Sequence, residues 1–531
     1  MVGGRSRRCR HGSRLELRRQ HRLRLAQVMT RAGASVSVDG GGSKREAAVA
    51  FGLIAALSAL RLLVAAVAPL AYDETYYWLW SKHLAAGYLD HPPMVAFVIR
   101  LGTTIAGDNP FGLRLIAVLL AIPATWAVWR SAAILIGDAR IAATAAVYFN
   151  LTLMVAAGTV IVTPDAPLLA SAAFVLFFLV KVKQTGSGPW WLAVGAAVGA
   201  GCLSKYTALF FGASIFLWLL IDRQNRRWFL SPWPYLGGIV ALALFMPVIV
   251  WNAMHDWSSF EKQFGRARGD GLTLRFIGEH LAAQLGLATP PIALLGVLGF
   301  WCLSSRTGAS VSTRILLQAL FWPLTIYLLW HSLHSRVEGN WTGPIFPVFV
   351  IAAAIAAHSQ DWTGGWSGFV RWLRRLAVPV GMLMIAGVYL QACLGVVPFG
   401  RADPTARQLG AGMPALAAEI DGIRKREGAT VILTETYAAT GWLSFYLPER
   451  SAVVQFHEGI RWVQQPPPDP ALFQGTALYV CQAPCLFPLD VRRRWRAFDK
   501  IATLQRERHD VTIDQWDVYR LRGAIGPPIE R

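Results

Sequence analysis

The sequence predicts a polytopic α-helical membrane protein carrying an α/β soluble domain at its C-terminal end. Three observations predict this. Of 531 residues, 54% are hydrophobic and 15% charged, against about 45–50% and about 25% in an ordinary soluble domain. Apolar blocks of spanning length recur between Ala47 and Val397. Beyond Val397 the chain becomes charged and has no further block. A water-soluble globule of this composition would have too little polar surface to cover itself, so a soluble enzyme, a disulfide-rich secreted module and a disordered protein are all excluded. The net charge of +20, from 51 Lys+Arg against 31 Asp+Glu, would by itself suggest a nucleic-acid partner. Residues 1–46, however, hold twelve basic and three acidic residues, so nearly half of the excess sits in one tail and no nucleic acid is expected as a partner.

That tail is Arg- and Gly-rich and lacks the apolar core and small-residue cleavage site of a signal peptide. It reads as a basic disordered cytoplasmic tail, or as an overlong start whose true initiator is Met29, in preference to a transit peptide or basic arm. Residues 47–399 form the predicted membrane domain. Eleven apolar blocks near 47–71, 112–136, 141–162, 166–183, 189–204, 206–221, 236–251, 281–303, 315–332, 343–357 and 376–397 account for 11–13 helices across a hydrocarbon core of about 30 Å. Segment 93–106 is too short to cross alone and reads as an interfacial helix. Lys and Arg resist translocation, and the short loops at 137–140, 181–188, 222–232, 304–314 and 358–375 are rich in them. Those loops, with the tail, are therefore expected in the cytoplasm, which puts residues 400–531 outside; in a bacterial inner membrane that is the periplasm. There the pattern gives helices near 405–426 and 436–446 and strands near 430–434, SAVVQF, TALYV and VTIDQWDVYRL, a small α/β layer. Cys202, Cys302 and Cys393 read as buried apolar residues. Cys481 and Cys485, in CQAPC, are expected to form a disulfide in an oxidising compartment.

Ionisable residues that an apolar scaffold could do without collect on the outer side. The first external loop holds adjacent Asp73 and Glu74, then Asp90 and His91; the next turn, VTPDAP, holds Asp165. Lys205 follows in SKY, then Glu261, Lys262, Arg266 and Arg268 in 252–280, and Arg336, Glu338 and Asn340 in the loop HSLHSRVEGNWTGP. The aromatics Tyr72, Tyr76, Tyr77, Trp78 and Trp80 suit a membrane-surface belt. Two neighbouring acids exceed what ending a span requires and suit a site needing a base and orienting carboxylates. Lys205, between two short blocks with little loop to solvate it, either snorkels or meets an anionic lipid head group. Carboxylates outside could hold a divalent cation, but no His/Asp cluster has ligand spacing, so no metal site is assigned.

YDETYYWLWSKHLAAGYLDHPPMVAF, VTPDAPL, CLSKYTALF, EGNWTGPIFP and TETYAATGWLSFYLP together resemble the bacterial branch of glycosyltransferase family 39, related to protein O-mannosyltransferases, lipid A aminoarabinose transferases and rhizobial galacturonosyltransferases. The resemblance covers roughly residues 47–460. It implies the GT-C architecture, an extracytoplasmic active site and a polyprenyl-phosphate sugar donor. It further implies Asp73 as general base with Glu74 its partner, Asp90 and His91 near the acceptor, Asp165 as the acid of the TPD turn, and Lys205 near the lipid phosphate.

The chemistry is consistent with that inventory. A polyprenyl phosphate leaves as an anion, so a cation such as Lys205, aided by Arg266 or Arg268, would offset its developing charge, while a carboxylate takes the proton of the attacking hydroxyl. One displacement inverts the anomeric carbon. The expected partners are a polyprenyl-phosphate sugar donor, a lipid or glycan acceptor and membrane lipids. The rival reading is a transporter or flippase of lipid-linked sugars. Transporters place ionisable groups near the midplane of repeated halves, whereas here they crowd one surface, Arg61 being the clearest exception.

Overall fold

The computed structural model describes residues 40–265, 271–305, 309–360, 362–448 and 451–530. Most of the basic tail with Met29, together with Arg266, Arg268 and Arg306, lies outside the described residues, as does the Cys302 side chain. The apolar region opens with α1 (Gly40–Val67), followed by α2 (Tyr72–Lys82), α3 (Met94–Ala106), α4 (Pro110–Ile136), α5 (Ala139–Leu151), α6 (Asp165–Thr185), α7 (Trp190–Ser204) and α8 (Phe210–Ile221). It continues with α9 (Pro232–Met254), α10 (Ser258–Gly265), α11 (Arg275–Leu287), α12 (Pro290–Ser305), α13 (Val311–His331), α14 (Phe346–His358) and α15 (Gly365–Leu394).

Among the described residues, seven segments are long and apolar enough to cross a membrane: Ala48–Val67, α4, α6, α9, α13, Gly339–His358 and α15. The pair α11 and α12 would make an eighth, bent by 106°. The other predicted blocks are shorter or interrupted apolar helices, and each interruption has a local cause. The block at 141–162 breaks because Thr152 is extended (φ −71°, ψ 139°) and caps a single new turn, Leu153–Ala156. The blocks at 189–204 and 206–221 are short apolar helices, parted by Lys205 in extended conformation (φ −158°). The block at 281–303 bends at Thr289, whose φ is +65°; two prolines follow it, and its hydroxyl donates to the Leu151 carbonyl at 2.8 Å. Helix α3 is short, as expected, with Val95, Ala96, Val98 and Ile99 buried and Phe97, Leu101 and Ile105 exposed.

Capping sets several helix ends. The Asn109 side chain accepts from the Gly112 N–H with Pro110 at the first position of α4, and Gly137 closes the same helix in left-handed conformation. Helices α7 and α9 approach closely through glycines: a Cβ on Gly195 would lie 2.0 Å from the Gly237 carbonyl oxygen. The small-residue surface at 193–201 is thus a backbone-to-backbone packing face. Arg61 does not reach solvent; its guanidinium donates to the Asn150 side chain and carbonyl, both at 2.8 Å.

The C-terminal portion is a mixed five-stranded sheet in the order β2-β1-β3-β5-β4, with β1 Ala429–Thr434, β2 Ala452–Gln455, β3 Thr476–Gln482, β4 Trp495–Arg508 and β5 Val511–Ala524. Strands β1, β2 and β3 are parallel, and β5 pairs antiparallel with β3 and β4. Alternation divides the strands between two cores. Ile432, Leu478 and Val480 face helices α16 (Met413–Glu427) and α17 (Tyr437–Tyr446); Val431, Leu433, Tyr479 and Cys481 face the other side with Phe456 and Trp495. The hairpin β4–β5 turns at His509 and Asp510, both with positive φ, the geometry that matches strand twist in a two-residue loop. Cys481 and Cys485 are joined by a disulfide with Cα atoms 5.5 Å apart.

Residues 50–531 form one unit. The sheet domain is seated on the segment between α1 and α2. The Leu70 carbonyl accepts from the Gly410 N–H at 2.7 Å and from Trp442 Nε1 at 3.1 Å, and Tyr446 Oη meets the Leu70 N–H at 3.2 Å. Helix α17 lies against α2 so tightly that a Cβ on Gly441 would sit 2.7 Å from Thr75 Oγ1.

Candidate functional site

The acidic pair at the start of α2 divides between two environments, because adjacent helical residues project in different directions. Glu74 points inward and is 0% exposed. Its oxygens accept from Arg114 Nε at 2.7 Å and Nη2 at 2.6 Å, from the Ala71 N–H at 2.8 Å and from the Val162 N–H at 3.0 Å. Arg114 spends its remaining donors on the carbonyls of Ala65, Ala68 and Pro69. With four donors around its two oxygens, Glu74 has little capacity left for a substrate proton; it ties the end of α1, the start of α2 and the turn before α6 together.

Asp73 points the other way and is half-buried. Tyr437 donates to its Oδ1 at 3.2 Å from the first position of α17. Burial pushes the Asp73 carboxyl up to about 6; the Tyr437 hydrogen bond and Arg461 pull it down, and the negative charges of Asp90 and Glu74 push it up. The carboxylate is therefore the dominant form at neutral pH while remaining basic enough to take a proton.

Asp90 forms the centre of a third arrangement. Arg461, from the sheet domain, and Lys262, from α10 at 2.8 Å, both pair with it, and Tyr76 donates to it at 2.9 Å. Burial alone would raise its pKa, but Arg461 and Lys262 outweigh that and hold it below the usual carboxylate range. Arg461 is itself gripped by Glu458 through Nε at 2.7 Å and Nη2 at 3.0 Å, and lies 4.7 Å over the Tyr437 ring. His91 sits beside Tyr77, with ring centroids 6.3 Å apart.

Asp165 and Lys205 meet because α6 and α7 form a short-looped helical hairpin, so the first residue of one faces the residue after the last of the other. Lys205 Nζ lies 2.8 Å from Asp165 Oδ1, with side chains 8% and 3% exposed. Each charge also sits at the favourable end of its helix dipole. Asn340 donates to the other Asp165 oxygen at 2.6 Å. Lys205 is therefore not a lone cation, but its ammonium has three donors and this pair accounts for one. The turn at 162–165 links the clusters, since Val162 holds Glu74 and Asp165 holds Lys205. Glu338, by contrast, is exposed, 3.9 Å from Arg336, and is an electrostatic neighbour of Tyr72.

Between α11, α12, α13 and α14 runs an apolar cavity of about 670 Å³, with Leu285, Val297, Phe300 and Phe349 among its walls. At its polar end, Gln284 donates to the Gly339 carbonyl at 2.9 Å and accepts from the Thr342 hydroxyl at 2.6 Å, two residues along the chain from Asn340. Among the described residues, the one trio of metal-ligand type is Glu435, Cys481 and Cys485, within 4.8 Å. Its two sulfurs are joined to each other and so offer no thiolates.

Sequence reasoning thus named Asp73, Asp90, Asp165, Lys205 and Asn340, each of which has a partner brought from a distant segment. It missed Arg114, Tyr437 and Arg461. Arg114 was detectable as an arginine inside the apolar block 112–136; Tyr437 had no local signal beyond lying within TETYAATGWLSFYLP, and Arg461 had none.

Residues 90–251 match the family model for dolichyl-phosphate-mannose-protein mannosyltransferases. The lipid A galacturonosyltransferase RgtD of Rhizobium johnstonii is 27% identical over 323 residues, which is 60% of this chain and 64% of the relative. The chain thus spans a little under two thirds of that curated relative. ArnT from Cupriavidus metallidurans superposes with a TM-score of 0.59 in its apo state, at 16% identity, over 89% of this chain and 98% of ArnT. ArnT bound to undecaprenyl phosphate gives 0.62 at 15% identity, over 90% and 99%. The two chains share one fold.

Proposed function

We propose that the chain, which shares its fold with ArnT and matches the mannosyltransferase family model over residues 90–251, is a glycosyltransferase of the family 39 type that transfers a monosaccharide from a polyprenyl-phosphate donor to a hydroxyl of a lipid A-type envelope glycolipid, at the periplasmic face of a bacterial inner membrane. The observation that carries this is a half-buried carboxylate of near-neutral pKa, Asp73, on a helix whose next residue is anchored to the turn that bears the Lys205–Asp165–Asn340 cluster.

In this reading the acceptor hydroxyl attacks the anomeric carbon while its proton passes to Asp73. The bond from that carbon to the phosphate oxygen breaks, and polyprenyl phosphate departs with the electron pair, inverting the anomeric centre. Lys205 offers its spare N–H groups to the departing phosphate in a setting where buried charge interactions are strong. Asp165 and Asn340 fix the Lys205 ammonium in place. The apolar cavity, whose wall includes Thr342 two residues from Asn340, suits the first isoprene units of the donor. Glu74 holds the backbone that presents Asp73, and Asp90 with Arg461 and Lys262 shapes the acceptor side.

The test is mass spectrometry of envelope lipids from a strain lacking the gene. The expected result is lipid A short of one sugar with the unused lipid-linked donor accumulating on the periplasmic side; the same loss with the donor confined to the cytoplasmic side would instead indicate a flippase. A second expectation concerns Lys205. Lys205→Met, assayed in proteoliposomes with a polyprenyl-phosphate sugar, should lower kcat/KM by about 10–100-fold, the worth of a hydrogen bond to a charged group. An unaltered kcat/KM would remove Lys205 from phosphate recognition.

A further inference from the structure

The sheet domain could have been a passive appendage, yet it delivers two side chains into the cluster around Asp73. We propose that Tyr437 is a positioning residue for Asp73, its hydroxyl orienting the carboxylate and its ring locking it to the Arg461–Asp90 pair. This inference rests on the reading of Asp73 as base and adds the group that aims it.

The geometry supports the role from both ends of the tyrosine. The hydroxyl donates to Asp73 Oδ1 at 3.2 Å. The ring lies under the Arg461 guanidinium at 4.7 Å and against Tyr76 at 4.7 Å and Tyr72 at 6.1 Å. Tyr76 in turn donates to Asp90, the partner of Arg461. One ring therefore touches both halves of the charged network.

Its backbone is equally well fixed. Thr436 caps α17 by accepting from the Ala439 N–H at 3.2 Å. The side chain of Glu435, one residue earlier, accepts from Tyr479 and from the N–H groups of Leu486 and Phe487, at 2.8 and 2.9 Å, just past the Cys481–Cys485 disulfide. Gln455 donates to the Glu435 carbonyl at 3.3 Å. A tyrosine serving only to fill space would not require the residue two positions before it to be held by β2, β3 and the disulfide loop.

The titratable groups that interact electrostatically with Asp73 are Tyr437 and Arg461 from the sheet domain, Tyr72, Glu74 and Tyr77 from its own helix, and Asp90 from the loop after it. Arg461 and Tyr437 favour the ionised form; Asp90 and Glu74 oppose it. Removing the Tyr437 hydroxyl therefore raises the Asp73 pKa, and protonated Asp73 persists to higher pH.

Dicyclohexylcarbodiimide, which reacts with protonated carboxyls, reads this without any substrate. Full-length protein in detergent is labelled across a pH series and the adduct on Asp73 is quantified by peptide mass spectrometry. Tyr437→Phe keeps the ring, and its labelling midpoint should move up by on the order of one pH unit, the effect of one hydrogen bond to a charged group. Replacing Tyr437 by 3-fluorotyrosine, a stronger donor that barely perturbs packing, should move it down. Midpoints that stay put in both variants overturn the inference, as does a Tyr437→Phe that loses sugar transfer equally at every pH. The outcome is separable from the base assignment: turnover by Asp73→Asn would end that assignment while leaving the labelling shifts intact.

Discussion

Asp73→Asn is expected to abolish sugar transfer, with a loss of about 10²–10⁴-fold, the usual contribution of a positioned general base, while the amount of protein in the membrane and its melting temperature stay unchanged. The stability half of this follows from position. Asp73 is half-buried, its hydrogen bond from Tyr437 can be accepted equally well by an amide oxygen, and among the described residues no cation pairs with it directly. The wild-type rate should also fall as pH drops through about 6, because protonation removes the base. Transfer assays on matched quantities of solubilised protein decide it. Turnover by the Asn variant within a few-fold of wild type would dismiss Asp73 as the proton acceptor.

The neighbouring substitution should behave in the opposite manner. Glu74→Gln is expected to lower stability by about 3–5 kcal/mol, the cost of leaving a buried partner charge uncompensated, and to deplete the protein from membranes. All five N–H groups of Arg114 are engaged, two by Glu74 and three by the carbonyls that close α1. Weakening the carboxylate end leaves the guanidinium charged in an apolar bundle. The double variant Glu74→Leu/Arg114→Met removes both charges and should recover part of the loss, since an apolar replacement of a buried pair is often nearly neutral. Thermal melts of the detergent-solubilised protein, followed by size-exclusion chromatography, provide the measurement. A Glu74→Gln variant that melts with wild type would show that the pair contributes nothing to folding.

The contrast between those two acids shows what was legible in the sequence. The pair DE announced a site because two charges at a helix start exceed what ending a span requires. Nothing in a linear string says which of two adjacent side chains faces in, because that depends on where Arg114 and the turn at 162–165 arrive. Asp165 and Lys205 were easier, as each stands at the end of an apolar block and a hairpin of neighbouring helices must bring those ends together. Helix breaks were illegible where polar or constrained residues, Thr152, Lys205 and Thr289, interrupt apolar runs that hydropathy averages across. Strand β4 was overlooked because WRAFDKIATLQRER is dense with charge. It forms one edge of the sheet, where an outward face can be charged. Tyr437 and Arg461 were illegible as site residues because their partners lie more than 350 positions away.

The seating of the sheet domain on Leu70 also sets an order of events during biosynthesis. The ribosome completes α1 to α15 before it reaches Tyr437 and Arg461, so an unfinished chain can hold all of these helices and still lack the tyrosine that contacts Asp73 and the arginine that neutralises Asp90. With the sheet domain in the periplasm, as proposed above, chemistry would wait until that domain has crossed the bilayer, folded and docked, which would make its export a checkpoint on when sugar transfer begins.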